Sequence, residues 1–322
     1  MGKFFEALKK WDDSDGNAKP AVIDVSDGAL GKEEAGDRQT VNDNVLDPLS
    51  PLDELPSEPQ YKKTDRSESL DRFKTKSQGL PRPSAKRSLN KNLVVYHDPQ
   101  SFEAEQFRML RTNILFPSDG KRSPRIILVT SALPEEGKSF VSSNLALTIA
   151  QNIDNHVLLI DCDMRHPSVH SNFGYDQVPG LSNYLEGEYT LSDVLLKIEG
   201  NHLSLLPGGP PPPNPAELLS SNRMLSLLRE VRARYDDRYI IIDSPPPHLT
   251  AESKALAQFV DGIVLVVKFG HTKRDLVSQL VDKLPKDKIL GVVANWLDRR
   301  AATSYVSGKY SQYTNYYSSK KR

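Results

Sequence analysis

The sequence predicts an α/β fold, a mostly parallel central β-sheet sandwiched by helices, and two observations carry that expectation. Six apolar runs recur between Leu93 and Asp298: "PRIILVT", "HVLLID", "LSLLP", "YIIIDSP", "GIVLVVK" and "KILGVVAN". Several are near-continuous Ile/Leu/Val, the composition of strands covered on both faces. The stretches between them carry a helical period, so helical crossovers joining parallel strands are the natural connection. A span of roughly 200 residues suits a single domain, and no internal repeat interrupts it.

Bulk properties limit the partners. The chain has 322 residues, 38% hydrophobic and 26% charged, with 42 basic side chains balanced by 42 acidic ones. Such neutrality argues against a nucleic-acid partner, which usually meets a basic protein. A lone cysteine excludes an intrachain disulfide framework and suits a reducing, cytosolic compartment. The longest apolar stretches, such as "GIVLVV", fall short of the roughly 18 to 20 residues that a membrane span needs. The N-terminal "MGKFFEALKKW" lacks the apolar core and cleavage site of a signal peptide. A soluble or peripheral protein is expected.

Residues 1–92 read as a mostly disordered arm. Asp12 to Ser88 is rich in Pro, Ser, Asp, Glu and Lys without a sustained apolar period, so it cannot bury enough surface to offset chain entropy. Ahead of it, over residues 2–11, Phe4, Leu8 and Trp11 share one helical face while Lys3, Lys9 and Lys10 stay polar. That short amphipathic helix either docks on a partner or an anionic membrane surface, or frays without one.

The domain proper, residues 93–298, opens with a phosphate cradle. "IILVTSALPEEGKSFVSSNLALTIA" orders a strand, a loop and a helix as a P-loop requires. The loop comprises Ser131, Ala132, Leu133, Pro134, Glu135, Glu136, Gly137, Lys138, Ser139 and Phe140, a nucleotide-binding segment at a helix start, where free N–H groups and the dipole favour an anion. Lys138 is expected to reach the β and γ phosphates of ATP, and the Ser139 hydroxyl to ligate Mg²⁺. The spacing is that of G-x-x-x-x-G-K-[ST], except that Ala132 replaces the first glycine.

Carboxylates mark two further strand ends. "VLLIDCDMRHP" places Asp161 and Asp163 at one tip, and "YIIIDSPPP" places Asp243 at another. In an open parallel sheet such tips face the ligand crevice. Asp243 is the Walker-B partner of Mg²⁺. Asp161 is expected to accept the proton of an attacking hydroxyl, with Asp163 and Asp243 holding the metal. Each aspartate alone also fits a cap or turn role. Cys162, between two acids, reads as a packing residue rather than a nucleophile. Arg165 is either a phosphate or tyrosine-loop contact or a surface charge.

Taken together these residues resemble a family, the bacterial protein-tyrosine kinases of capsule and exopolysaccharide synthesis (the CpsD/CapB type), from about Leu93 onward. "EQFRMLRTNILF" is similar to its E-x-x-R-x-x-R block, "SALPEEGKS" to its Walker A, "LLIDCDMRHP" to its Walker A′ and "IIIDSPP" to its Walker B. "GLSNYL" and "LPGGPPPPNPAELLSS" match further blocks. The resemblance implies a deviant-Walker P-loop fold related to the MinD/ParA ATPases. Leu133 occupies the place of their signature lysine, which argues against a MinD-like ATPase switch. Glu135 departs from the small residue common there and adds a negative charge near the phosphates.

What the resemblance implies is an autophosphorylating tyrosine kinase that regulates polysaccharide synthesis and export. Asn295, ending "VVAN", resembles the family's adenine-side residue, though a strand cap is the alternative. Glu105, Arg108 and Arg111 lie on one helical side, either a solvated face or, by resemblance, the ion-pair strip of a homo-oligomeric ring. A separate membrane co-polymerase would activate the kinase and recruit it to the inner face of the plasma membrane, and a cognate tyrosine phosphatase would reverse it. A non-kinase switch and a catalytically weak nucleotide-binding scaffold are the competing readings.

Residues 299–322 form the tail. Tyr305, Tyr310, Tyr313, Tyr316 and Tyr317 are five of the twelve tyrosines, in a segment too polar to fold. Disordered segments are normally poor in aromatics, so these rings or hydroxyls are expected to be used, and the resemblance implies that they are autophosphorylation sites offered to a neighbouring subunit. A flexible tail of this length has an r.m.s. span of roughly 25 to 30 Å. Its basic residues favour an acidic, nucleotide-loaded crevice until phosphates, each about −1.5 to −2 charges, reverse its sign.

Overall fold

A computed structural model describes residues 88–296, apart from 118–119, 121, 199, 201, 235–237 and 246–251. The amphipathic helix expected at 2–11, the arm up to residue 87 and the tyrosine tail lie outside the described residues. All described residues belong to one compact unit.

Each of the six apolar runs forms a strand: β1 (Ile126–Ser131), β2 (His156–Asp161), β4 (Leu203–Leu206), β5 (Arg238–Asp243), β6 (Gly262–Lys268) and β7 (Ile289–Asn295). A seventh, β3 (Leu196–Ile198), was not foreseen and pairs antiparallel to β4 at the sheet edge. The order is β3-β4-β2-β5-β1-β6-β7, and every other pairing is parallel. β1 therefore sits between β5 and β6. The chain leaving β1 crosses to β2 on one side, and the chain leaving β5 crosses past β1 to the other, which makes the crevice above β1 and β5 the place where a ligand fits.

Alternation along the strands divides the core in two, because successive side chains point to opposite faces. Ile126, Leu128, Leu158, Ile160, Ile240, Ile242 and Leu265 face one layer. It is closed by Leu227 and Val231 of a helix at Asn222–Arg234 and by Leu280 and Val281 of one at Arg274–Lys283. Ile127, Val129, Leu159, Ile241, Val264 and Val266 face the other, under α1 (Phe102–Leu115) and α2 (Lys138–Ala150). α2 is buried almost all round, as a helix between a sheet and a second helix has to be. α1 begins at Ser101, whose Oγ accepts the Ala104 N–H at 3.1 Å, with Glu103 and Glu105 placed at the positive end of the helix. Among the described residues no helix is long and apolar enough to cross a membrane.

Candidate active site

The loop from Ser131 to Gly137 joins β1 to α2, and two features set its path. Gly137 is the residue before α2 and has φ +92°. A Cβ there would enter the side-chain amide of Asn295, so only glycine serves. Glu136 is buried, and its carboxylate accepts the Leu133 N–H at 2.8 Å and the Thr272 hydroxyl. Thr272 Oγ1 in turn accepts the Lys268 N–H at 2.9 Å, so the loop is fastened to the end of β6. Asn295 Nδ2 donates to the Glu136 carbonyl at 2.9 Å and fastens it to the end of β7. Ser131 Oγ closes the first turn on the Leu133 carbonyl at 2.6 Å. Glu135 is exposed at φ +60°, and Phe140 packs edge-on against Phe107 of α1 at 5.7 Å.

The acidic groups gather across the crevice. Asp161 and Asp243 are register partners on β2 and β5, and both are fully buried. Ser139 Oγ donates to Asp243 Oδ2 at 2.6 Å, which joins the start of α2 to the tip of β5. Asp243 Oδ1 has no hydrogen-bond partner among the described residues. Burial raises the Asp243 carboxyl from 3.8 to about 7, against the pull of the Ser139 hydroxyl and the Lys138 ammonium. Lys138 is itself buried beside it.

Asp161 carries a different load. Its Oδ1 accepts the Asp163 N–H at 3.1 Å, and its Oδ2 accepts the N–H groups of Ser168 and Val169, each at 3.1 Å. The side chain thus folds the loop after β2 back over the strand tip. Burial, then the charge of Asp243, holds Asp161 well above the usual carboxylate range, while those N–H donors pull the other way. Asp163 is half-buried with Oδ1 on the His166 N–H at 3.3 Å, and Arg165 is exposed. Burial and the neighbouring carboxylates push the Cys162 thiol up, in keeping with a packing role.

The expected oligomer strip is divided in its contacts. Arg108 pairs with Glu105 on the same helix at 2.7 Å. Arg111 Nη1 donates to the Thr148 carbonyl in the last turn of α2 at 3.1 Å, where an orphan carbonyl and the helix dipole both favour a cation.

A serine bonded to a buried aspartate, a buried lysine at a helix start and three acids at or just past neighbouring strand tips are what phosphoryl transfer asks for. No family model matches the chain. Individual relatives do. It is 38% identical to tyrosine-protein kinase YwqD of Bacillus subtilis over 209 residues, 64% of this chain and 86% of that one. The chain belongs to the bacterial protein-tyrosine kinases. Tyrosine-protein kinase CpsD of Streptococcus agalactiae is 35% identical over 215 residues, 66% of this kinase and 89% of its relative. Among solved structures, the kinase domain of Escherichia coli tyrosine kinase ETK superposes with a TM-score of 0.61 at 32% identity, covering 72% of this chain and 88% of that one. A nucleotide-binding site is therefore part of this kinase.

The structure brings Ser131 to Ser139, Asp161, Asp163 and Asp243, all singled out in the sequence, together around one crevice. Sequence reasoning missed the fastening of the loop by Glu136 and Thr272. Thr272 lies 136 residues further along the chain, and nothing local marks the pair.

Proposed function

We propose that this chain is an ATP- and Mg²⁺-dependent kinase that phosphorylates the tyrosines of its own tail in trans and thereby regulates exopolysaccharide or capsule synthesis and export. The observation that carries the reading is the Ser139–Asp243 pair, 2.6 Å apart, with Asp243 Oδ1 left unpartnered beside Lys138. Oxygen ligands of this kind fit a hard divalent cation, and an orphaned buried carboxylate oxygen is costly unless a ligand uses it. Ser139, Asp163 and Asp243 would hold Mg²⁺, which when bound supplies charge neutralisation of the transferred phosphate.

The remaining work falls to the chain itself. The N–H groups at the start of α2 and the Lys138 ammonium hold the ATP phosphates. A tyrosine hydroxyl, with an ordinary pKa near 10, needs a proton acceptor at hand. Asp161 takes that role, because burial makes it a stronger base than an exposed carboxylate. Its backbone N–H partners fix its orientation. Arg165, exposed beside the crevice, would contact an incoming tail phosphate or tyrosine loop. Leu133, 37% exposed, stands where switch ATPases carry their signature lysine, which favours the kinase over the switch.

Glu105, Arg108 and Arg111 would exchange partners across subunits to close a ring in which each subunit offers Tyr305 to Tyr317 to the next. The activator would be a separate membrane protein of the co-polymerase type, holding the kinase at the inner face of the plasma membrane. Both short and long chains occur among the relatives: CpsD is matched over 89% of its length, and the E. coli etk protein over 30%. A cognate tyrosine phosphatase completes the cycle, and no nucleic acid takes part.

The test is to incubate the purified full chain with MgATP and the cytoplasmic peptide of the activator, then map phosphate by mass spectrometry. Phosphotyrosine between Tyr305 and Tyr317, lost in Lys138→Met, is expected. Its absence from the unaltered protein sinks the kinase reading, and its persistence in Lys138→Met assigns the signal to a contaminant.

A further inference from the structure

One aromatic ring at the crevice rim has no part in the chemistry above. Trp296 follows Asn295 directly, is 65% exposed, and adopts φ +64°. A bulky side chain in the left-handed region is an outlier, and such strain persists where the surroundings enforce it, commonly at ligand clamps. The surroundings here are explicit. Asn295 Nδ2 holds the end of β7 against the Glu136 carbonyl at 2.9 Å. The indole Nε1 consequently comes to 3.8 Å from where a Cβ on Gly137 would stand. The Lys268 ammonium lies 4.9 Å from the ring centroid, a cation–π contact that steadies the ring while leaving most of it in solvent.

A nucleotide whose phosphates rest on the N–H groups at the start of α2 has to lead its ribose and base out along the rim of the loop. Trp296 stands on that rim, beside the last glycine before Lys138. We propose that Trp296 is the nucleobase platform of this kinase, stacking the purine of the bound nucleotide on its indole. The proposal rests on the reading that the Lys138 loop holds the phosphates. Because every base has a π-face, such a platform retains purine nucleotides over bare polyphosphate without choosing sharply between adenine and guanine.

The chain has two tryptophans, so Trp11→Phe leaves Trp296 as the sole indole reporter in the full-length protein. Binding of MgADP, MgGDP and magnesium tripolyphosphate is followed by fluorescence and by calorimetry. Both nucleotides are expected to quench Trp296, whereas tripolyphosphate binds with little optical change. Trp296→Ala should weaken MgADP about tenfold, the usual scale of a lost base–aromatic stack, and leave tripolyphosphate unchanged, while Trp296→Phe restores most of the affinity. Equal weakening of nucleotide and tripolyphosphate, no weakening of either, or nucleotide binding that leaves the fluorescence unaltered each overturns the platform. Lys138→Met tests the underlying reading separately. It should abolish binding of all three ligands, and if they still bind, the phosphate loop is misassigned and the platform falls with it. The fluorescence titration needs no change at position 296, so it decides the matter even if Trp296→Ala fails to fold.

Discussion

Ser139 Oγ donates a 2.6 Å hydrogen bond to Asp243 Oδ2, and that bond, together with the Lys138 ammonium, opposes the burial that raises this carboxyl to about 7. The consequence for stability has a definite sign. A carboxyl raised in the folded state binds its proton more tightly there than in the unfolded chain, so its contribution is fully present below the unfolded value and is lost as pH climbs through the folded one. For Asp243 that window runs from about pH 4 to about pH 7, and the raised Asp161 acts in the same direction. Metal-free protein is expected to gain more in Tm from Asp243→Asn at pH 8 than at pH 5, because the substitution removes an ionised group that burial disfavours. Thermal melts of both proteins across that range check it. Parallel curves would show that Asp243 does not titrate as its burial requires.

Glu136 gives a second prediction. Its carboxylate accepts from the Leu133 N–H and the Thr272 hydroxyl, both inside the loop's underside. Glu136→Ala leaves two half-buried donors without their acceptor and frees the loop from the segment after β6, at a cost of about 1 kcal/mol. Glu136→Gln can still accept from Leu133 and can donate to Thr272, so it should recover most of the loss. Urea unfolding measures the stability, and the KM for ATP should rise in the alanine variant but little in the glutamine one. A glutamine variant as damaged as the alanine one would mean that charge, not hydrogen bonding, is the function of Glu136.

What the sequence made legible follows from the range of the interactions involved. β1 and α2 could be placed because an apolar run, a Gly137–Lys138–Ser139 turn and a helical period are all local signals. Asp161 and Asp243 could be matched because buried parallel strands end where their apolar runs end, which puts both tips on the same edge. β3 was missed because three residues, Leu196–Ile198, are too few to show a period. Glu136 reads in isolation as a solvated loop charge, since Thr272 and Asn295, which fasten it, lie far along the chain. Arg111 likewise reads as a surface cation, because its acceptor, the Thr148 carbonyl, belongs to another helix.

Glu135 sits at φ +60° and is exposed on the phosphate loop. A non-glycine residue there carries left-handed strain of roughly 1 to 2 kcal/mol, part of which glycine gives back through its greater freedom in the unfolded chain. Glu135→Gly is therefore expected to stabilise the protein by about 0.5 to 1 kcal/mol. It also removes a negative charge near the phosphates, so ATP should bind more tightly at low salt and the gain should shrink as salt is added. Chemical denaturation and a salt series of nucleotide titrations check the two halves independently. A destabilised glycine variant would refute the strain argument, and a salt-independent gain would refute the electrostatic one.

The strip on α1 separates assembly from folding. Arg108 is bound to Glu105 on its own helix, a half-buried i,i+3 pair, and to the Pro99 carbonyl just ahead of it, both local contacts worth little to stability. Arg111 instead holds the Thr148 carbonyl of α2, a charge-assisted bond between two elements. If both arginines also bridge subunits, Arg108→Ala should shift the particle toward a monomer by light scattering while leaving the urea midpoint almost unchanged. Arg111→Ala should do the same to assembly and, in addition, lower stability by about 1 kcal/mol. An unchanged ring in the Arg108→Ala, Arg111→Ala double variant would refute their assembly role, and the stability loss of Arg111→Ala would then be the whole of its function. Tail phosphorylation supplies the third readout, since a monomer cannot offer Tyr305 to Tyr317 to a neighbour and should be modified more slowly at low protein concentration.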